Sequence, residues 1–241
     1  MTAVLALLGA GQAERHEIGL SPRAASAAAA ALGVDGISVG VGTGPEGIVL
    51  TWGRERTAVA LEDAQFTLGQ GPGHDAVTAG TPVLEPDLAR AGAAGRYPAF
   101  TPAATNLRVR AVFAFPLRIG AISVGVLTAH RIAPGPLTAT QLADALALAD
   151  AVTVLLLQHQ DPPRSGMDGQ SLKQARPGST QPATHRAQVH QATGMISVQL
   201  GVSLADALVR LRARAYADDR LINDVADDVV ARRMRFDPSD P

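Results

Sequence analysis

The sequence contains no cysteine. This absence excludes disulfides, thiolate nucleophiles, cysteine-ligated zinc, iron–sulfur clusters and tetrapyrroles attached through thioether bonds. Aromatic residues make up only 3% of the chain, whereas hydrophobic residues make up 46%. The core must therefore be built from Ala, Val, Leu and Ile, whose side chains each bury less apolar area than an aromatic ring. The lack of cysteine also fits a reducing cytoplasm, where we expect the protein to act.

Strong net charge and long hydrophobic runs are lacking too. The net charge at pH 7 is −1, so any nucleic-acid surface has to be local rather than a property of the whole chain. The apolar residues 1–8 are too few to cross a bilayer and lack the basic start of a signal peptide. The apolar stretch 142–157 is interrupted by Asp144 and Asp150. We therefore expect a soluble protein without a membrane partner.

Composition changes most sharply at residues 160–183. This stretch is rich in Pro, Gly, Ser and Gln and has almost no hydrophobic residues, so burial cannot repay the entropy of ordering it. It predicts a flexible linker between a domain at 21–159 and a smaller domain at 184–236. An N-terminal helical segment at 1–20 and a tail at 237–241 complete the predicted organisation.

The first segment alternates helix and strand patterns. Ser21 before Pro22 is a typical helix start, and Gly33 is a typical helix end. Thr138 and Gln141 have the spacing of a capping box. Helices are predicted at residues 21–32, 57–65, 74–79 and 138–158, and strands at 34–41, 48–52, 82–84, 110–117 and 121–129. Strands joined mainly as hairpins, with helices before and after, indicate an α+β fold whose antiparallel sheet is flanked by helices.

The second segment has a purely helical pattern. Thr184 and Ser203 are suitable N-caps, and Gly201 is a suitable helix end. This domain is therefore expected to be all-α, with three helices. They are predicted at residues 184–200, 203–217 and 221–234.

Four stretches of the first segment match a familiar pattern. They are LEDAQFTLGQGP at 61–72, PVLEPDL at 82–88, FAFPLR at 113–118 and VGVL at 124–127. With these motifs the segment 21–159 resembles an actinobacterial GAF domain. The resemblance implies a GAF-like antiparallel sheet flanked by helices, and a domain that senses a small-molecule or protein signal.

Three blocks of the second segment match another family in order. They are QATGMI at 191–196, DALVRLR at 206–212 and DVADDVV at 224–230. With them the segment 184–236 resembles an ANTAR domain, the RNA-binding output module of transcription antitermination regulators. The resemblance implies a cytoplasmic, usually dimeric regulator that binds tandem RNA hairpins in a leader transcript. Thr193 stands where this family usually has a lysine.

Arginines are the main candidates for RNA contact. A guanidinium group offers a bidentate fork to phosphate oxygens and can stack on splayed bases of an RNA loop. The alternative is a solvated helix face whose arginines lie near the negative end of the helix dipole. Between residues 186 and 235 eight arginines face six aspartates, so affinity should be moderate unless two copies bind together. We predict RNA contacts from Gln191, Thr193, Arg210, Arg212, Arg214 and Arg220.

Gly194 and Thr193 are unusual residues for the interior of the first predicted helix of this segment, and their presence requires an explanation. Gly194 costs about 1 kcal/mol relative to alanine inside a helix. Close packing of another helix is the expected reason, and close approach of an RNA backbone is the alternative. Thr193 is expected to bond back to a carbonyl one turn earlier. Inner faces are predicted for Val189, Ala192, Ile196 and Leu200 on the first helix and for Leu204, Leu208, Leu211 and Ala215 on the second.

A sensor pocket, if present, is expected between the sheet and residues 61–105. Its candidate walls are Trp52, Phe66, Phe100 and Phe113, although we favour a core position for each of these rings. His74 follows a Gly-Pro-Gly loop and is the candidate polar group; the alternative is a histidine in water. We expect no catalytic residues, no metal and no cofactor.

The leading hypothesis is a signal-responsive regulator that binds RNA and acts in transcription antitermination. The alternative is a protein-interaction regulator whose ANTAR-like module does not bind RNA. An enzyme on a GAF scaffold ranks last, because methionine sulfoxide reductases of this type need cysteines. The helix at 138–158 has a wider apolar face than one sheet contact needs, which favours a homodimer.

Overall fold

The computed structural model describes residues 22–42, 49–53, 55–158, 181–218 and 220–237. The chain divides into two compact units, residues 1–157 and 158–241. The predicted N-terminal helical segment lies outside the described residues, as does most of the predicted linker. The last three residues of the predicted linker, 181–183, already belong to a helix.

The first unit contains a five-stranded antiparallel sheet. The strand order is β2-β1-β5-β4-β3. The hairpin of β4 and β5 is its longest pairing, with Phe113 opposite Ala129 and Ile119 opposite Ile122. The elements are α1 (Pro22–Leu32), β1 (Gly36–Val41), β2 (Val49–Gly53), α2 (Arg56–Leu68), α3 (Pro72–Ala79), β3 (Val83–Glu85), α4 (Ala91–Arg96), α5 (Phe100–Asn106), β4 (Ala111–Ile119), β5 (Ile122–Arg131) and α6 (Ala139–Gln158).

Helices cover both faces of this sheet. Neighbouring residues of a strand point to opposite faces, so Phe113 and Val112 belong to different cores. Phe113 packs with side chains of α1 and α6. Val112 packs with Leu61 of α2 and Phe100 of α5. The expected antiparallel sheet flanked by helices is confirmed.

Local sequence signals explain several ends of these elements. The predicted capping box at the start of α6 is confirmed, since Thr138 N donates to Gln141 Oε1 over 2.9 Å and Gln141 N donates to Thr138 Oγ1 over 3.2 Å. Gly33 ends α1 with a φ of 60°, a left-handed conformation that glycine adopts without strain. The short helices α4 and α5 were not predicted, because six and seven residues are too few to show a helical period.

The helix α6 is long and apolar. By length and composition its segment Ala139–Leu157 could cross a membrane, with a mean hydropathy of 1.6, and 33% of it is buried inside the protein. The buried side chains, such as Leu148 and Val152, belong to the core beneath the sheet. The side chains of Leu146 and Val154 are exposed. The apolar surface of this helix therefore extends beyond its contact with the sheet.

The second unit contains α7 (Gln181–Leu200), α8 (Leu204–Ala217) and α9 (Ile222–Val230). The axes of α7 and α8 are bent by 106° at the break around Gly201. Ser203 caps α8 as predicted, because its Oγ accepts a hydrogen bond from Asp206 N over 3.1 Å. The side chains that form the core are Val189, Ala192, Ile196, Ala207, Leu208, Leu211, Ala215, Ile222, Val225, Ala226 and Val229.

Two predictions for this unit need correction. Leu204 was assigned to the inner face of α8, but it lies in the first turn and is 42% exposed; Ala207 is buried instead. The third helix ends at Val230 rather than at residue 234. It ends there because Arg232 adopts a left-handed φ of 60°, which turns the chain so that Arg233 N donates to Asp228 O over 2.7 Å.

Candidate functional site

Two of the four predicted RNA-binding arginines are held by carboxylates. Arg214 Nε lies 2.8 Å from an oxygen of Asp218, and Arg220 lies 2.7 Å from Asp228. Arg233 also lies 2.7 Å from Asp228, so one carboxylate serves two guanidinium groups. Hydrogen bonds from Arg220 and then Arg233 hold the pKa of Asp228 below its usual value, so this carboxylate stays ionised.

The other two predicted arginines differ in exposure. Arg212 is half-buried, and desolvation lowers the pKa of its guanidinium. Arg210 is exposed, and no hydrogen bond or ion pair joins its side chain to another described residue. Of the four predicted arginines, Arg210 is therefore the one best placed to meet a phosphate.

Thr193 points into the core of the second unit. Its side chain is only 4% exposed, and its Oγ1 donates to Val189 O over 2.7 Å. The expected back-bond to the preceding turn is confirmed. From this position the hydroxyl cannot contact RNA, so Thr193 leaves the set of predicted contacts. Gln191, two residues earlier, is exposed and remains in it.

A groove runs along α7 beside the segment that follows α9. Its volume is about 550 Å³. Val198, one of its lining residues, is 85% exposed. The groove is lined by Gln191, Gly194, Met195, Val198, Gln199, Arg232 and Arg235. Apolar, amide and cationic groups thus line one concave surface.

The two arginines of the groove were missed as site residues. Arg232 and Arg235 are exposed, and neither guanidinium forms an ion pair within the described part of the chain. Phe236 N donates to Gln199 Oε1 over 3.0 Å, which holds the segment 232–236 alongside α7. The basic cluster at 232–235 was visible in the sequence, but its position beside α7 depends on where α9 ends.

Gly194 forms part of the floor of this groove. A Cβ atom built on it would meet no atom within 4 Å outside the local backbone. Close packing of another helix therefore does not explain this glycine, contrary to our expectation. The alternative, close approach of an RNA backbone, stays a prediction.

The four aromatic candidates of the first unit do not line one pocket. Phe100 and Phe113 are buried in different cores on opposite faces of the sheet. Phe66 is buried in α2. For Trp52 the described feature is its backbone, which pairs with Val39 in the sheet. His74 is exposed in the first turn of α3.

A buried polar cluster between α2 and the sheet was also missed. Glu62 Oε1 accepts hydrogen bonds from Ser38 Oγ over 2.8 Å and from Gln65 Nε2 over 3.3 Å. Gln65 Oε1 in turn accepts from Gly73 N over 2.7 Å. These bonds join β1, α2 and the start of α3, so the cluster acts as a polar anchor of this layer. Among the described residues no group of three or more His, Asp or Glu side chains is placed to hold a metal ion.

His130 is the buried titratable group of β5, with only 3% of its surface exposed. Desolvation lowers the pKa of its imidazole, although Asp35 and Glu55 act in the opposite direction. Its ring lies against Gly36, where a Cβ atom would come within 2.3 Å of Cε1. Glycine at position 36 thus makes room for a neutral imidazole.

Acidification from pH 7 to pH 5 should therefore destabilise the protein. Below the ordinary histidine pKa the unfolded chain binds a proton that folded His130 resists, so this residue adds a slope of up to about 1.4 kcal/mol per pH unit. Urea unfolding at several pH values, followed by circular dichroism, measures the slope. His130→Asn should flatten it; equal slopes for the variant and the wild type would rule out this role.

No protein-family model and no curated protein matches the chain by sequence. GAF domains are among the solved structures that it resembles in fold. The GAF domain of an Acinetobacter phosphoenolpyruvate-protein phosphotransferase is 13% identical, with a TM-score of 0.48 over 65% of this chain and 92% of that one. For the GAF-B domain of DevS from Mycobacterium smegmatis the values are 21%, 0.37, 56% and 88%.

An enzyme is also among these structures. The free methionine-R-sulfoxide reductase from Neisseria meningitidis, in complex with its substrate, is 16% identical, with a TM-score of 0.44 over 64% of this chain and 86% of that one. Identities and TM-scores of this size assign neither a family nor a function to the chain. For the second unit the resemblance to ANTAR domains stays a prediction from the sequence.

Proposed function

We propose that the chain is a cytoplasmic, signal-responsive regulator that binds RNA through its second unit. The observation that carries this proposal is the groove beside α7, where Arg232 and Arg235 have no carboxylate partner in the described residues. Guanidinium groups bind phosphates, amides such as Gln191 bind base edges, and apolar side chains such as Met195 pack against bases. The groove supplies all three.

The RNA surface proposed here differs from the one predicted. It consists of the groove residues Gln191, Arg232 and Arg235 and, outside the groove, the exposed Arg210. It leaves out the half-buried Arg212 and also Arg214 and Arg220, whose charges Asp218 and Asp228 already offset. A phosphate would have to compete with these carboxylates for the same guanidinium groups. An unpaired arginine requires no such exchange.

For the first unit we propose a GAF-like sensor of a small-molecule or protein signal. The motifs at 61–72 and 113–118 support this assignment, together with the antiparallel sheet between two helical layers. We further propose that the regulator acts as a homodimer on tandem hairpins of a leader transcript. The exposed Leu146 and Val154 of α6 offer apolar contact area, and two linked RNA units would gain affinity from each other.

Crosslinking in cells tests the proposal. The full chain is irradiated in its host, purified under denaturing conditions, and the attached RNA is sequenced. We expect enriched transcripts with paired hairpins. The enriched RNA should also bind the purified dimer, with an affinity that falls as salt rises. No binding at low salt by a dimeric sample would rule out RNA binding as the function.

One observation favours the second candidate, a protein-interaction regulator. Val209 and Tyr216 are seven residues apart on α8, which is about two turns, so they lie on the same face of the helix. Both are exposed, Tyr216 by 72%. A protein partner recognised by this face should co-purify after nuclease treatment and be lost on Tyr216→Asp. RNA binding that is unaffected by Tyr216→Asp would favour the first candidate.

A further inference from the structure

At two positions of the groove, the backbone conformation favours a different amino acid from the one that is present. Gly194 lies inside the helix α7, where alanine is preferred because glycine loses more conformational freedom on folding. Arg232 follows α9 with a φ of 60°, where glycine is preferred because a Cβ crowds the carbonyl in the left-handed region. Position 194 thus lacks a side chain where alanine is preferred, and position 232 carries a long side chain where glycine is preferred.

Packing explains neither departure. The space around a Cβ at position 194 is open to 4 Å. Backbone hydrogen bonds, such as Arg233 N to Asp228 O, stabilise the turn at Arg232, but they would form equally well with glycine there. The Arg232 side chain is exposed and makes no ion pair in the described ranges, so no ion pair accounts for an arginine at this φ. Both residues line the same groove. A ligand that needs an open floor and a cationic wall would account for both.

We propose that the groove holds the sugar–phosphate backbone of a single-stranded RNA segment. The strand crosses Gly194 at close range because no side chain covers the helix there, and its phosphates bind Arg232 and Arg235. The exposed Val198 lies on the base side of the strand. This inference rests on the proposed RNA-binding function and adds the part of the RNA that is recognised.

The size of the groove favours a single strand over a duplex. A volume of about 550 Å³ lies within the range of about 300–1,000 Å³ that is typical of sites for small ligands. A site of this size meets a short stretch of one strand, whereas a specific duplex interface buries about 1,000–2,500 Å² of protein surface. Unpaired nucleotides of a hairpin loop have the required freedom, because their bases can be splayed away from the backbone.

The test uses Gly194→Ala and Arg232→Gly in the full chain. Each substitution replaces an amino acid that the local backbone conformation disfavours, so each should raise the melting temperature of the second unit by about 5 °C. Each should also weaken binding of a short single-stranded RNA of mixed sequence, by about tenfold for Arg232→Gly, which loses one charged contact. A blunt duplex of the same sequence is the comparison probe and should lose less.

Matched controls exist in the first unit. Arg108 is exposed with the same φ of 60°, and Gly95 lies in α4 with nothing within 4 Å of a built Cβ. Arg108→Gly and Gly95→Ala make the same chemical changes outside the groove. Both controls should leave the affinity for the single-stranded probe unchanged.

The outcomes separate this inference from the proposed function. If the wild type binds RNA and the two groove variants bind the single strand equally well, the inference is wrong and RNA binding stands. Equal losses for the single strand and the duplex would also overturn it. If the wild type binds neither probe nor any crosslinked RNA, the proposed function fails, and the inference fails with it. Greater stability combined with weaker single-strand binding supports it.

Discussion

Replacing Arg232 and Arg235 together by serine is expected to weaken RNA binding by about 100-fold. A hydrogen bond to a charged group contributes about 1.5–3 kcal/mol, and each 1.4 kcal/mol is a factor of ten in affinity. Neither guanidinium has a carboxylate partner among the described residues, so the loss is not offset by the release of an ion pair. The salt dependence should fall as well, with a slope of log Kd against log salt smaller by about one for each lost phosphate contact.

Fluorescence anisotropy with a hairpin RNA recovered by crosslinking, at several salt concentrations, measures both effects. Arg233→Ser is the matched control, because Arg233 lies between the two groove arginines but is paired with Asp228. It should reduce affinity much less. Asp228→Asn should act in the opposite direction, since it releases both Arg220 and Arg233. A loss for Arg233→Ser equal to that of the double variant would mean that net charge alone, and not the groove, determines binding.

The second large effect is expected for Phe100→Ala, which should lower the free energy of unfolding by about 3–5 kcal/mol. Phe100 is 0% exposed and packs edge-on against Tyr97, with ring centroids 6.1 Å apart. Removing the ring leaves a cavity between α5, α2 and the sheet that neighbouring side chains fill only in part. A ring on the wall of a ligand pocket would cost less, because it has fewer contacts to lose.

Urea unfolding followed by circular dichroism checks this value. Ile122→Ala, at a side chain that is 63% exposed in the β4–β5 hairpin, is the control and should change stability by less than about 0.5 kcal/mol. A cost below about 1 kcal/mol for Phe100→Ala would reopen the interpretation of this ring as part of a sensor pocket.

The sequence predicted best those features that depend on interactions between residues close together in the chain. Thr138 with Gln141 and Ser203 with Asp206 each satisfy backbone N–H groups within one turn, so their effect does not depend on the rest of the fold. The helix and strand ends predicted from such signals lie within three residues of those observed, apart from the end of α9.

Thr193 shows a signal that was available and not used. It lies four residues after Val189 and three before Ile196, both on the predicted inner face, so helical periodicity already placed it in the core. Its interpretation as an RNA contact followed the family resemblance instead. Here the periodicity was the better guide to the side chain's position.

The groove and the ion pairs could not be predicted from sequence. Asp228 meets Arg220 and Arg233 only because α9 ends at Val230 and the chain then turns back at Arg232. Which arginines are paired depends on that turn, and counting charges along the chain cannot reveal it. The same holds for Phe113, because its sequence pattern does not show which face of the sheet it occupies.

The bond from Phe236 N to Gln199 Oε1 has a practical consequence for preparing the protein. A purification tag joined on the carboxyl side of Phe236 would follow the wall of the groove closely in the sequence. A histidine-rich tag there would add partly charged imidazoles and raise RNA affinity artificially, while a bulky fusion partner would hinder access. Affinities are therefore best measured with a cleavable tag at the amino terminus.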